Sequence, residues 1–346
     1  MTPQSVGVQG GGPGLGMAPS ASLGLRGGLG LGTAPVESTL LTGMPVGRQW
    51  LYVTQRFQKF QENITLTPRQ IADGETKYKG VVSCLNAVYW GHNAQTENSF
   101  SIGSWAKDTR TRPPRDVDLY FILPLEVYHR FEAYRPGVNK QSALLQDVKS
   151  KLLATYPRSE IKGDGPVVIA RFDSYNVEIV PAFLFDFDER SFYVCDTKNG
   201  GMYRKTMPLH EVDAINAADT RTNSNVRRFV RMLKCWQVNC SVPIKSFHIE
   251  LLAIEFLDQW QYRLQSYFFY DWMCRDFFGW MITKVNTHLM APGTREWMWL
   301  GDTWKTKAES AYSRAVRACD YELANNMVGA GDEWQKIFGT DIPKYI

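Results

Sequence analysis

The six cysteines of this 346-residue chain (Cys84, Cys195, Cys235, Cys240, Cys274, Cys319) include no C-x-x-C pair, and none of the five histidines stands at zinc-ligand spacing from them. A zinc knuckle and a disulfide framework are thereby excluded, and reduced thiols point to a cytoplasmic protein. Uninterrupted apolar runs are short as well. The richest, Tyr267 to Ile282, is broken by Asp271, Arg275 and Asp276, so no segment reads as a membrane span. Near the N-terminus leucines are interspersed with glycine rather than gathered behind a charged stretch, which is not the order of a signal peptide. Excess charge is also lacking: 39 Lys+Arg against 35 Asp+Glu leave +4, too little for a protein that wraps nucleic acid. Any basic site must be local.

Hydrophobic residues make up 44% and aromatics 13%, enough for a sizeable core, and the length favours two lobes. Residues 1 to 48 hold 13 of the 28 glycines and five prolines with almost no charge, the composition of a flexible leader; Met17 and Met44 offer later starts. Apolar positions spaced by three and four predict two leading helices, over 48–63 and 67–92. Residues 116–123 alternate strictly, with Val117, Leu119 and Phe121 on one face and Asp116, Asp118 and Tyr120 on the other, a half-buried strand closed by Pro124. A helical stretch over 125–156 interrupted at Pro136-Gly137 and two β-rich runs, 166–172 and 176–183, follow; the runs form a hairpin beside the first strand. From residue 225 the pattern is helical: 226–238, 246–264, 267–283 and 303–327, with Gly329 as the stop. Ala308, Ala311, Ala315 and Ala318 form a stripe suited to close helix packing. The expected fold is α+β: a small twisted mixed sheet with helices at 49–215, then a helical lobe at 216–346, with the site in the cleft between them.

The chemistry concentrates in Ile102-Gly103-Ser104-Trp105, Asp116-Val117-Asp118 and Val177-Glu178-Ile179. Aspartates at i and i+2 of a strand share a face, and Glu178 on the neighbouring hairpin can add a third carboxylate. Hard oxygen ligands favour Mg²⁺ or Mn²⁺. Two such ions activate a hydroxyl and neutralise a transferring phosphoryl group, which points to nucleotidyl transfer. Gly103 lets backbone approach closely, and Ser104 offers a hydroxyl and N–H groups to a triphosphate. Each fragment alone also describes an ordinary turn or strand end, as Asp186-Phe187-Asp188 illustrates. Arg227, Arg231 and Lys234 at i, i+4 and i+7 make one basic face, either solvated or turned to a triphosphate. Arg110, Arg112 and Arg115 bind phosphate or keep a loop soluble, and His248 reads as a packed helix residue.

In series, Gly103-Ser104, Thr109, Arg112-Pro113-Pro114, Asp116-Val117-Asp118-Leu119 and Val177-Glu178-Ile179-Val180-Pro181-Ala182-Phe183 resemble the DNA polymerase β nucleotidyltransferase superfamily. More narrowly the chain looks like the bacterial cGAS/DncV-like nucleotidyltransferases (CD-NTases). The likeness extends through Leu233-Lys234-Cys235-Trp236, Lys245-Ser246-Phe247-His248-Ile249-Glu250 and Trp334-Gln335-Lys336-Ile337-Phe338-Gly339, from about residue 50 to 343. The resemblance implies that Asp116, Asp118 and Glu178 bind Mg²⁺, that Gly103, Ser104, Lys234 and Ser246 hold the donor triphosphate, and that Phe247 stacks on a base. Tyrosine is common at that last position, so a hydroxyl is missing here. It further implies a cyclic di- or trinucleotide messenger made from NTPs such as ATP with release of pyrophosphate, an effector that binds the product, a regulatory protein, and a role in anti-phage (CBASS) defence. The competing expectations are an enzyme that extends an RNA end or makes linear oligonucleotides, and a silent nucleotide-binding sensor. Activation by nucleic acid through a zinc insertion is not expected without a Cys/His cluster.

Overall fold

The computed structural model describes residues 51–346, so the leader read at 1–48 lies outside the described residues. Helix α1 (Val53–Ile64) leads into α2 (Pro68–Tyr89), which opens on a capping box: the Thr67 hydroxyl accepts the Gln70 N–H, and the Gln70 amide oxygen accepts the Thr67 N–H. Strand β1 (Ser99–Ser101), the single turn α3 (Gly103–Ala106) and strand β2 (Asp116–Ile122) come next. Then follow α4 (Leu125–Glu132), α5 (Lys140–Thr155), β3 (Glu160–Asp164), β4 (Val167–Arg171), β5 (Asn176–Asp186), β6 (Ser191–Asp196) and β7 (Met202–Thr206).

These strands form one seven-stranded mixed sheet in the order β1-β2-β5-β4-β3, with β6 and β7 continuing from the far end of β5. β2 and β5 are parallel and the other pairs antiparallel. The alternation of β2 works as its sequence indicates. Val117, Leu119 and Phe121 are buried with Val81, Val82 and Leu85 of α2 and Leu144, Leu145, Val148 and Leu152 of α5. Asp116 and Asp118 are therefore left on the opposite face.

The second lobe is built from α6 (Pro208–Arg221), α7 (Asn225–Asn239), α8 (Ser246–Gln259), α9 (Tyr270–Ile282), α10 (Lys305–Leu323) and α11 (Met327–Phe338), with a small hairpin, β8 (His288–Met290) and β9 (Trp297–Trp299). Its core also takes in α1. Val53, Phe57, Phe60 and Ile64 pack with the helical residues, Phe57 edge-on to Trp334 at 5.3 Å and Phe60 against Phe338 at 5.2 Å. The expected boundary is corrected accordingly: α1 precedes the sheet in sequence but belongs to the helical core. The alanine stripe of α10 is buried against its neighbours.

Three expected helix ends are also corrected. α8 stops at Gln259 rather than 264; the run 267–283 begins as a short 3₁₀ turn before α9; and α10 stops at Leu323. Gly329 is not a stop but lies in the first turn of α11, where its N–H is capped by the Asn326 side chain at 2.9 Å. Among the described residues no helix is long and apolar enough to cross a membrane, and all six cysteines are free.

Arg56 ties α1 to the far end of the chain. Fully buried, it donates from Nε to Glu322 at 3.0 Å and from Nη2 to the Met327 carbonyl at 2.9 Å, while Nη1 reaches the carbonyls of Pro343 and Lys344. Arg56→Ala would remove the guanidinium that pairs with the buried Glu322 carboxylate and the donors that hold the Met327, Pro343 and Lys344 carbonyls, at a cost of about 3–5 kcal/mol. Urea denaturation of the variant checks this, and a loss under about 1 kcal/mol would contradict a supporting role for the pair.

Candidate active site

Parallel pairing sets Asp116 beside Asn176 and Asp118 beside Glu178. Asn176 Nδ2 donates to Asp116 Oδ1 at 2.9 Å and orients that carboxylate. Burial, then the Asp116 charge, pushes the Asp118 carboxyl up to about 6, while Lys234, Lys107 and the Ser104 N–H act in the opposite sense. Burial, followed by Asp118, Asp116 and Asp164, raises Glu178 to about 7. Asp118 and Glu178 thus both sense the Asp116 charge.

The loop before β2 is fixed onto these acids. Ile102 N–H donates to the Asp118 carbonyl at 3.0 Å, and Trp105 Nε1 to the Asp116 carbonyl at 2.8 Å. Gly103 has φ +57, and a Cβ there would stand 2.1 Å from Asp118 Oδ2. Both the left-handed backbone and the close approach require glycine. α3 is a single turn, and its Ser104 N–H is directed to the Asp118 carboxylate.

The helical lobe supplies the other wall. A cavity of about 450 Å³ is lined by Gly103, Ser104, Asp116 and Asp118 from the first lobe and by Lys234, Ser246 and Phe247 from the second. Seven of the eight residues expected at the site share this cavity; Glu178 does not line it and is linked to the aspartates by register and charge. Ser246 Oγ donates to Gln237 Oε1 at 3.0 Å, and Lys234 Nζ donates to Thr109 Oγ1 at 2.8 Å and pairs with Glu250 at 2.9 Å. Arg110 and Arg115 line the cavity, Arg110 with its guanidinium 4.5 Å over the Trp105 ring. Arg112 is structural, donating to the Thr65 carbonyl at 2.6 Å. So are two members of the α7 stripe. Arg227 Nε donates to the Lys107 carbonyl at 2.9 Å and Arg231 Nη1 to the Asp108 carbonyl at 2.7 Å, so they hold the loop instead of facing the cavity. Asp186 ends β5 and caps the Glu189 N–H, and His248 is buried in α8.

Sequence reasoning missed Lys107, Glu211 and Glu250. Lys107 is only 4% exposed, and its ammonium contacts Glu211 at 2.8 Å and Glu250 at 2.9 Å and lies 4.7 Å over the Phe247 ring. A charged residue at a buried position leaves no mark in a single sequence. Only its placement two residues before the matched Thr109 could have drawn attention to it.

Among the described residues no three His, Cys, Asp or Glu side chains already form a metal cage. The donor set nevertheless fits a hard divalent cation in its chemistry. Asp116 and Asp118 face the cavity with oxygen ligands only, and such a cation relieves the carboxylate repulsion that adds to burial in raising Asp118 and Glu178.

A carboxylate-bearing mixed sheet facing a helical lobe across such a cavity defines a polymerase β-like nucleotidyltransferase, and known proteins agree. Residues 51–219 match the Second Messenger Oligonucleotide or Dinucleotide Synthetase domain. A Bacillus cereus (strain VD146) protein named "Probable cyclic nucleotide synthase" is 23% identical, across 70% of this chain and 81% of its own. The fold is shared with Escherichia coli MS115-1 CdnC in its HORMA complex (TM-score 0.60, 18% identity, 84% of this chain and 98% of that one). It is shared equally with Vibrio cholerae DncV, a cyclic AMP-GMP synthase solved with the linear intermediate 5′ pppA(3′,5′)pG (TM-score 0.62, 12% identity, 84% and 95%). Residues 51–219 thus match this synthetase domain, and the fold is that of the cGAS/DncV-like nucleotidyltransferases its motifs resemble.

Gly103→Ala is expected to displace the Asp118 carboxylate by forcing apart the 2.1 Å approach. Misplacement on this scale costs about 10²-fold in turnover. Steady-state NTP consumption measures it, and activity within about twofold of the parent would mean that Gly103 does not position Asp118.

Proposed function

We propose that this protein joins nucleoside triphosphates into a cyclic di- or trinucleotide second messenger and releases pyrophosphate. The observation that carries the reading is the single cavity in which Asp116, Asp118 and the Gly103-Ser104 turn face Lys234, Ser246 and Phe247. The functions named for the Bacillus relative and for DncV point the same way.

Asp116 and Asp118, with Glu178, would hold Mg²⁺ or Mn²⁺. When bound, the metal supplies activation of a ribose hydroxyl and neutralisation of charge on the α-phosphate. The chain's own residues do the rest. Gly103 and Ser104 hold the donor triphosphate against β2, and Lys234 and Ser246 hold it from the helical lobe. Phe247 offers a ring to a base. The ribose hydroxyl oxygen of one NTP forms the new bond to the α-phosphorus of another as the bond to pyrophosphate breaks. A ribose hydroxyl of the linear intermediate then bonds to the α-phosphorus at its own triphosphate end as the bond to a second pyrophosphate breaks, which closes the ring. Capture of CdnC with ATP and with a HORMA protein supports NTP substrates and a regulatory protein for this chain too. We assign it to the cytoplasm, with an effector that binds the product in anti-phage defence.

Incubation with the four NTPs and Mg²⁺ or Mn²⁺, phosphatase treatment and mass spectrometry test the reading. A phosphatase-resistant cyclic product is expected. Linear products with removable phosphates would move the protein to oligonucleotide synthesis, and no nucleotide consumption would contradict an autonomous synthase. The double variant Asp116→Asn/Asp118→Asn is expected to lose turnover while its Tm stays level or rises. Removing two like charges from beside Glu178 relieves the repulsion that adds to burial in raising that acid. A large fall in Tm would make the pair structural.

A further inference from the structure

The ammonium group of Lys234 is surrounded by partners within the protein. It donates to Thr109 Oγ1 at 2.8 Å and to the Thr109 carbonyl at 3.3 Å, and it forms an ion pair with Glu250 Oε1 at 2.9 Å. Lys107 is similarly occupied, by Glu211 at 2.8 Å, by Glu250 Oε2 at 2.9 Å and by the face of Phe247. Yet both lysines line the cavity. A triphosphate that reaches Lys234 competes with these partners for its ammonium.

Glu250 is the anionic one. It lies one turn beyond Ser246 on α8, lines the same cavity, is only 5% exposed, and shares its two oxygens between the two lysines. Burial alone would raise its carboxyl, but Lys234 and Lys107 outweigh burial and keep it below its usual range, so it is ionised. Exchange at Oε1 does not strand a buried charge, because Oε2 remains on Lys107.

We propose that Glu250 is an internal counter-ion that occupies the phosphate-facing donor of Lys234, and that it sets a threshold of ligand charge which a triphosphate crosses and shorter phosphates do not. Glu250 is on this view a specificity-determining residue for phosphate number. The inference rests on the reading above that Lys234 contacts the donor triphosphate. A carboxylate and a phosphate oxygen compete for one charged donor, so the ligand that brings more negative oxygens displaces Glu250 more readily.

The test is equilibrium binding of ATP, GTP, CTP and UTP and of the four corresponding diphosphates to the full chain, with Tm measured alongside. For the NTP that the parent binds best, Glu250→Gln is expected to lower Kd about tenfold, the weight of roughly one charge-assisted hydrogen bond, and to narrow the preference over the diphosphate. If Glu250→Gln does not fold, Glu250→Asp, which keeps the charge but shortens its reach to Lys234, decides the matter: tighter NTP binding is expected, and unchanged or weaker binding overturns the counter-ion role. Lys234→Ala is measured in parallel and should weaken binding. Should Lys234→Ala weaken binding while Glu250→Gln leaves Kd unchanged or higher, the counter-ion role is overturned and the reading of Lys234 stands. If Lys234→Ala has no effect, that reading fails and the inference falls with it.

Discussion

Carboxylates set side by side on neighbouring parallel strands repel one another, and the surroundings of this site answer that repulsion. Burial first and then neighbouring carboxylates leave two of them raised, Asp118 to about 6 beside Asp116 and Glu178 to about 7 beside Asp118. Lys234, Lys107 and the Ser104 N–H oppose the shift at Asp118, and Gly103 lacks the side chain that would keep the backbone at a distance. A site that holds negative charge together in this way is suited to hard cations and to the polyphosphate they accompany.

The same charges join the lobes. Lys107 leaves the loop before β2 and enters the helical lobe between Glu211 and Glu250, while Arg227 and Arg231 of α7 bind the carbonyls of Lys107 and Asp108. The loop that carries the glycine-serine turn is thus held at its backbone by one lobe and directed at the aspartates of the other. Buried ion pairs contribute little net stability, but they fix geometry, because a misplaced partner leaves a charge unpaired. That suits a cleft whose two walls must meet one triphosphate.

Much of this was legible in the order of residues. The alternation of β2 stated which face would be buried, and its companion face carried the acids. Gly103 and Ser104 were legible as a motif, although the reason for glycine, the nearness of Asp118 Oδ2, required the third dimension. Short or exposed elements escaped notice: β3 buries only Ile161, and β7 buries none of its residues. Gly329 misled because glycine serves a helix's first turn as well as its end. The basic stripe of α7 was correct as a pattern, yet three residues on one face took two different tasks. Pairings across more than a hundred residues, Lys107 with Glu250 or Arg56 with Glu322, depend on how helices pack, and a lone sequence carries no trace of them.

The claim on which everything else turns is that the donor triphosphate spans the cleft, from the aspartates of β2 to Lys234 and Ser246. A crystal structure with Mn²⁺ and a non-hydrolysable analogue of the NTP that is consumed, with anomalous data at the manganese edge, measures it directly. The account predicts manganese peaks at Asp116 and Asp118 and a triphosphate within hydrogen-bond reach of Lys234 and Ser246. Nucleotide bound elsewhere, or manganese absent from the aspartates while the triphosphate is present, would contradict it.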